Sequence, residues 1–232
     1  DDYRNELNGM GYIVEMDPYD KTRAIRKRTA LGRYAHESAA FSVPTVGQQL
    51  AVYMGDDSRN EYIYKFVTTA VWAAADANPA DRIATGDKYL DSGKLYVAKL
   101  AADGTGQWIE LSLSNALIQA YSAYKFADLA DVLVNARLAA DAVGATKMDR
   151  PEWCSVNPAN GEIYYTLTNN SNRTVNPSGS SQLAPDSANP RAYTDMKGSS
   201  AQNGNPNGHI IRFKEGTGAA AATSFTWDVY LF

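Results

Sequence analysis

The segment KMDRPEW, residues 147–153, places two acids and two bases beside a proline and a tryptophan. The residue before a proline favours an extended backbone, and alternate side chains of an extended chain share a face. Arg150, Glu152 and Cys154 would then point the same way. A carboxylate and a guanidinium side by side could bind a metal and a metal-bound phosphate, because arginine matches phosphate oxygens with two hydrogen bonds.

The same alternation places Asp149 and Trp153 on the opposite face of this segment. The competing interpretation of the segment is an ordinary surface ion pair with Trp153 packed in the core, since exposed pairs contribute little to stability. The residues alone leave both interpretations open.

A second candidate is LGRYAHESAAF, residues 31–41, which carries His36 and Glu37. The pattern predicts that both lie mid-strand among small and apolar residues, where a charge is costly unless it is paired or metal-bound. The alternative is a partly exposed strand without a ligand. In this segment too, the sequence indicates a site without requiring one.

A third candidate is MGDDSRNEY, residues 54–62, in which Asp56 and Asp57 open a polar turn. Their oxygens, with those of Asn60 and Glu61, suit calcium. The segment lacks the spacing and the helices of an EF-hand, so an ordinary turn is the competing interpretation. His209, in NGHIIR, is expected to begin a strand.

The composition excludes several classes of function. The chain has 232 residues, a formal net charge of -4, two histidines and one cysteine. An acidic chain is not expected to bind nucleic acid, and a zinc site rich in His or Cys is improbable. No apolar run approaches the roughly 20 residues of a membrane span. The Gly-x-Ser-x-Gly elbow, the Walker loop and the His-Glu-x-x-His pair are all missing from the sequence.

The pattern of elements predicts a mainly β fold, either a β-propeller or a large sandwich. Strands are expected within residues 11–18, 49–57, 61–69, 93–100, 102–111, 161–168 and 208–213, and in the closing SFTWDVYLF. A helical insertion is expected at about 115–143, with one helix over 124–143. Residues 69–92 and the Asn-, Ser- and Gly-rich residues of about 171–207 are predicted to be loops. Because the chain begins with Asp and ends on an apolar strand, we expect it to be a piece of a longer protein.

Four quoted stretches resemble the PhoX-type bacterial alkaline phosphatases along nearly the whole chain. They are GYIVEMDPYD with KRTALGRYAHESAAF, AVYMGDDSRNEYIYKFV, GATKMDRPEWCSVNPANGEIYYTLTNN, and NGHIIRF with FTWDVYLF. The resemblance implies part of a β-propeller, usually six-bladed, in a monomer exported by the twin-arginine route to the periplasm or the cell exterior. It also implies hydrolysis of small phosphate monoesters at a cofactor of ferric iron and calcium.

The resemblance further implies roles for individual residues. Glu37 and Glu152 match glutamates that hold the metal cluster, and Arg150 matches an arginine that contacts the substrate phosphate. Asp56 or Asp57 would supply calcium oxygens. The iron-binding cysteine of the family precedes the HE word and has no counterpart in this chain, so Cys154 is expected to be a small buried thiol.

Two rival functions accompany this interpretation. A calcium-dependent propeller lactonase also uses carboxylate and Asn ligands at the propeller axis, and a substrate panel would separate it from a phosphatase. A non-enzymatic binding propeller stabilised by calcium would show calcium-dependent thermal stability without turnover.

Overall fold

The computed structural model describes residues 7–232, which form a mainly β fold. The strands are β1 Ile13–Glu15, β2 Arg26–Arg28, β3 Ala40–Phe41, β4 Gln49–Gly55, β5 Ile63–Val71, β6 Gly93–Leu100, β7 Thr105–Glu110, β8 Pro151–Val156, β9 Ile163–Leu167, β10 Tyr193–Lys197, β11 Ser200–Gly204, β12 His209–Glu215 and β13 Ser224–Leu231. The helices are α1 Arg82–Leu90, α2 Ala116–Gln119, α3 Leu129–Val134 and α4 Ala136–Ala142. The eight predicted strands are confirmed, within a few residues at their ends.

Nine of these strands form one antiparallel sheet in the order β3-β4-β5-β6-β7-β13-β12-β9-β8. Two groups, β3 to β7 and β8, β9, β12 and β13, are joined by three residue pairs between β7 and β13. The two edges of the sheet also approach each other, because β8 packs against β3 and β4. The sheet is therefore nearly closed.

Gly55 permits this closure at the end of β4. A Cβ atom at Gly55 would lie 2.6 Å from the carbonyl oxygen of Glu152 and 2.8 Å from that of Pro151. Any other residue would collide with the backbone of β8, so glycine is required for the close approach of the two strands.

Alternation along β4 gives the sheet two apolar faces. Val52 and Met54 pack under the helices, with residues such as Val132 of α3. Tyr53 points to the other face, where it meets Phe213 of the second group. Because side chains from both groups meet there, this second face is the interior of the nearly closed sheet.

The single helix predicted over residues 124–143 is wrong. The chain forms α3 and α4 instead, with a break at Asn135, whose backbone has φ -109° and ψ 43°. The Asn135 side chain donates to the carbonyl oxygen of Asp131 at 3.2 Å and to its carboxylate at 2.8 Å. Asparagine competes for backbone hydrogen bonds in this way, which interrupts a helix.

Two segments predicted to be loops contain regular structure. Residues 69–92 include α1, whose N-cap Asp81 accepts a hydrogen bond from the backbone nitrogen of Ala84 at 3.0 Å. Residues 171–207 include the hairpin of β10 and β11. No helix among residues 7–232 has the length and apolar character needed to cross a membrane.

Candidate functional site

Three predicted segments meet where β4 ends and β8 begins. The backbone nitrogen of Glu37 donates to the carbonyl oxygen of Gly55 at 3.4 Å, and that of Asp57 donates to Ala35 at 2.9 Å. Gly55 in turn lies against the backbone of Glu152. The segments HES, GDD and DRPEW are therefore neighbours in space, although 115 positions separate Glu37 from Glu152.

Arg150 is the cation of this group, and two neighbouring side chains hold it. Its Nε and Nη2 atoms donate to the two carboxylate oxygens of Asp57 at 2.9 and 3.0 Å, and Nη1 donates to Asn169 at 2.8 Å. Nη2 lies 3.9 Å from Glu152, and the side chain is 27% exposed. A guanidinium has five N–H bonds, so two remain for a ligand from solvent. The sequence predicted Arg150 and Glu152 as neighbours but not Asp57 as the main partner.

The Glu152 carboxylate stands in a negative environment. Burial raises its pKa, the charges of Asp57 and Glu37 raise it further, and Arg150 opposes them. Glu37 is exposed and Glu152 is half-buried. The charges of Asp57 and Glu37 thus repel the Glu152 carboxylate, and this repulsion favours a cation or a hydrogen-bond donor beside it.

Asp56 differs from its neighbour Asp57. It is completely buried, and its two carboxylate oxygens accept hydrogen bonds from Arg137 at 2.7 and 2.5 Å. The backbone nitrogen of Ala35 donates to Asp56 as well, at 3.2 Å. Asp56 therefore fixes the segment before Glu37, while Asp57 faces Arg150.

His36 does not lie mid-strand, as the sequence predicted, but in an isolated bridge opposite Asp56. Its Nε2 is 3.0 Å from the carbonyl oxygen of Gly32, and its ring stacks on Tyr34 with centroids 3.7 Å apart. Burial lowers the pKa of His36 to about 4, so the imidazole is neutral at pH 7.

Cys154 is a half-buried free thiol, close to the expected state. Its sulfur donates to the carbonyl oxygen of Tyr53 at 3.1 Å and lies 3.2 Å from the Ser38 hydroxyl. Burial raises its pKa to about 11, so the reactive thiolate is not populated at neutral pH. Cys154 joins β8 to β4 and is not part of the charged group.

The prediction that Trp153 packs in the core is wrong, because its side chain is 66% exposed. β8 is the last strand in the sheet order, and within residues 7–232 the Trp153 side chain is left mostly uncovered. The strict alternation also fails at Arg150, where φ is 51°, and at a register shift between Pro151 and Cys154. Alternation alone could not indicate which face would be covered.

The sequence reasoning missed the polar residues behind Arg150. Asn169 follows β9 and accepts from Arg150, while Asp149 is completely buried against Arg173. Asn169 carried a usable signal, since it stands at the end of the strand that pairs with β8. Arg173 carried none, because it lies in a stretch that resembles a mobile loop.

The donor set fits a hard cation in chemistry but does not enclose one. Carboxylate oxygens are the ligands that calcium and ferric iron prefer. Among residues 7–232, however, no group of three or more His, Cys, Asp or Glu side chains is arranged to hold a metal ion. Glu37, Glu152 and Asp57 thus have the oxygen chemistry of such ligands, but they do not form a metal site by themselves.

Comparisons with known proteins show the family of the chain. The profile of the family described as "Alkaline phosphatase PhoX" matches residues 1–232. The structure is similar to that of Pseudomonas fluorescens PhoX in complex with vanadate, a transition state analogue, with a TM-score of 0.77 and 42% sequence identity. That match confirms the predicted propeller-like fold class. It covers 97% of this chain and 36% of the relative, so the chain spans about a third of that protein. A search of curated proteins gave no match. The chain belongs to the PhoX alkaline phosphatase family.

Proposed function

We propose that the protein carrying this chain hydrolyses small phosphate monoesters and releases inorganic phosphate. The observation that carries the proposal is the Arg150 guanidinium, held by Asp57 and Asn169 with two N–H bonds left over. Arginine offers paired donors to phosphate oxygens, and a fixed guanidinium stabilises charge that develops on them. The related PhoX structure holds vanadate, a transition state analogue, which agrees with this role.

The carboxylates have a second role in this proposal. Glu37, Glu152 and Asp57 would contribute oxygen ligands to ferric iron and calcium, with the remaining ligands supplied by other parts of the protein. Such cations would neutralise the charge of the ester. Asp56 does not enter the proposal, because its carboxylate is completely buried and is held by Arg137 and by the Ala35 backbone nitrogen, whereas the side chain of Asp57 is 15% exposed.

Arg150 has the task of orienting the substrate. Asp57 holds Nε and one terminal nitrogen, which fixes the plane of the guanidinium. A phosphoryl group in contact with the free N–H bonds would meet a cation that needs no reorganisation during the reaction. Glu152 lies beside the Arg150 guanidinium and would keep the metal ions and the phosphate next to each other.

The proposal extends to the setting of the enzyme. We propose a monomer exported to the periplasm or the cell exterior, where it would act on small phosphate esters. Cell fractionation and gel filtration of the protein test these two points.

The direct test follows the hydrolysis of an aryl phosphate by the purified protein, supplied with iron and calcium. Glu152→Ala is expected to lower kcat/KM by at least about 100-fold, because a removed ligand weakens the charged site. Glu162→Ala is the matched control. Glu162 directly precedes Ile163, the first residue of β9, and its carboxylate accepts a hydrogen bond from Tyr164. Full activity of Glu152→Ala, or turnover of lactones without turnover of phosphate esters, would contradict the proposal.

A further inference from the structure

Among residues 7–232, two residues other than glycine adopt the left-handed backbone conformation. They are Asn60, with φ 66°, and Arg150, with φ 51°. Asparagine tolerates this conformation, but for a long side chain such as arginine it is strained. Strain of this kind persists only where the surrounding structure fixes the backbone, and it concentrates at functional sites.

Both left-handed residues lie next to Asp149 or to its bridge partner Arg59. Asp149 forms an isolated β-bridge with Arg59, and the backbone nitrogen of Asn60 donates to Met148 at 3.0 Å. One side-chain amide also links the two regions, since Asn170 donates to Asp149 at 2.7 Å and to Asn60 at 3.1 Å. Asp149 directly precedes Arg150, so these contacts link the turn after Asp57 to the backbone that leads into Arg150.

The carboxylate of Asp149 is completely buried and fully occupied. Arg173 donates to it from Nε at 3.0 Å and lies 2.9 Å away through Nη2, and Asn205 donates at 3.0 Å. Asn170 and Asn205 are themselves joined by two reciprocal backbone hydrogen bonds of 2.9 Å. The backbone nitrogen of Asp149 donates to the side chain of Asn189 at 3.0 Å.

Most of these partners come from the Asn-rich segment of residues 171–207. Arg173, Asn189 and Asn205 are all almost completely buried, although their surroundings in sequence are those of a polar loop. Buried charged networks contribute little net stability compared with apolar packing, and their best-attested role is to specify one geometry. Here the specified geometry is that of the backbone at Arg150.

We propose that Asp149 is a positioning residue for phosphate recognition, which acts by holding the left-handed backbone that aims the Arg150 guanidinium. The inference rests on the proposed function and deepens it. In the described part of the chain, no hydrogen bond joins the Asp149 side chain to Arg150, Asp57 or Glu152, so its influence passes through the backbone and through Asn60. The Asn-rich segment supplies the amides and the guanidinium that hold Asp149 in place.

The test is a double-mutant cycle on kcat/KM for an aryl phosphate. Asp149→Asn is expected to lower kcat/KM by about 100-fold, since a small displacement of a binding group has that effect. In an Arg150→Ala background the same change is expected to lower it by less than about threefold, because the group that Asp149 positions is gone. A merely structural role would give equal losses in the two backgrounds.

A milder variant keeps the test decisive if Asp149→Asn does not fold. Asn205→Ala removes one donor to Asp149 and is expected to lower kcat/KM by about tenfold, again only when Arg150 is present. Glu215→Gln is the matched control. It removes a buried carboxylate in the sheet interior and should change kcat/KM of the folded protein by less than about twofold in either background.

The outcomes separate this inference from the proposed function. Loss that depends on Arg150 supports the inference. Equal loss in both backgrounds overturns the inference and leaves the proposed function standing. A wild-type protein that hydrolyses no phosphate ester overturns the proposed function and the inference together.

Discussion

Two buried ion pairs lie on different sides of the fold and have different surroundings. Asp149 and Arg173 are both completely buried behind the candidate site, and Lys65 and Glu215 are buried inside the nearly closed sheet. The first pair is completed by asparagine amides next to strained backbone. The second is completed by aromatic side chains on regular strands.

The interior pair shows what burial does without a neighbouring site. Tyr53 donates to Glu215 at 2.8 Å, and the indole nitrogen of Trp108 donates at 3.2 Å. Burial lowers the pKa of Lys65 to about 8, although the charge of Glu215 opposes this shift. Burial likewise raises the pKa of Glu215. Desolvation therefore outweighs attraction in this pair, and its role is to link strands.

A buried ion pair is therefore not in itself evidence of a functional site. What distinguishes Asp149 is its position between two left-handed residues, one of which carries a partly exposed guanidinium. Lys65 and Glu215 lie within β5 and β12, and neither strand contains such a residue. Variants of the two regions should thus differ in whether stability or catalysis is lost.

The largest expected effect on stability is that of Glu215→Gln. The change leaves Lys65 buried opposite a neutral group, and it is expected to lower the free energy of unfolding by about 3 kcal/mol. Chemical denaturation measures this loss, and steady-state kinetics of the remaining folded protein should give an unchanged KM. A large rise in KM would mean that the two regions do not differ as described.

Gly55→Ala is expected to lower the free energy of unfolding by about 2 kcal/mol, because the new Cβ collides with the backbone of β8. The displaced strand carries Glu152, so kcat/KM should fall too. Gly179→Ala is the matched control, since a Cβ there meets nothing within 4 Å. Its expected effect is below about 0.5 kcal/mol. An unchanged melting temperature for Gly55→Ala would refute the close approach of β4 and β8.

His209 gives the region of Asp149 a dependence on pH. Burial lowers its pKa, and the charges of Arg173 and Arg191 act in the same direction, while the Ala188 carbonyl and Asp149 oppose them. The unfolded chain binds a proton near pH 6.5, and the folded chain resists it until a lower pH. Stability from this residue is therefore present above pH 6.5 and is lost as the pH falls below it.

The slope from one such proton is at most about 1.4 kcal/mol per pH unit. His209→Gln should remove this contribution between pH 7 and pH 5.5, as measured by urea unfolding at several pH values. His36 contributes a similar slope and remains in the variant. The same pH dependence in the variant and the wild type would show that His209 is not held neutral.

The smallest expected effect belongs to Trp153. Because the side chain is mostly exposed, Trp153→Ser should change the free energy of unfolding by less than about 0.5 kcal/mol. A loss above about 2 kcal/mol would indicate that another layer covers this face of β8.

Local patterns predicted the strands well, because alternation and turn residues act over a few positions. The β6 strand, Gly93–Leu100, has the predicted ends, and the hairpin of β4 and β5 forms around the predicted polar bend. The predicted helix was broken by one side chain, that of Asn135, and the 3.6-residue periodicity cannot detect such a break.

The site was predictable only in part, since its contacts span long distances in sequence. The resemblance to a family named Arg150, Glu152, Glu37 and either Asp56 or Asp57. The structure brings Asp57 together with the first three, while Asp56 is held by Arg137. The partners of Asp149 lie 21 to 56 positions away, and no local pattern marks them. Their burial depends on how residues 171–207 fold back, which is a property of the tertiary structure.

The most direct measurement of the central claim is the inhibition constant of vanadate for the wild type and for Arg150→Ala. The two free N–H bonds of Arg150 should contact the oxygens of a bound oxyanion, so the constant is expected to rise by at least about 100-fold in the variant. The cations of the proposed function should remain bound, because their proposed ligands Glu37, Glu152 and Asp57 are unchanged. An equal inhibition constant for the two proteins would contradict the account.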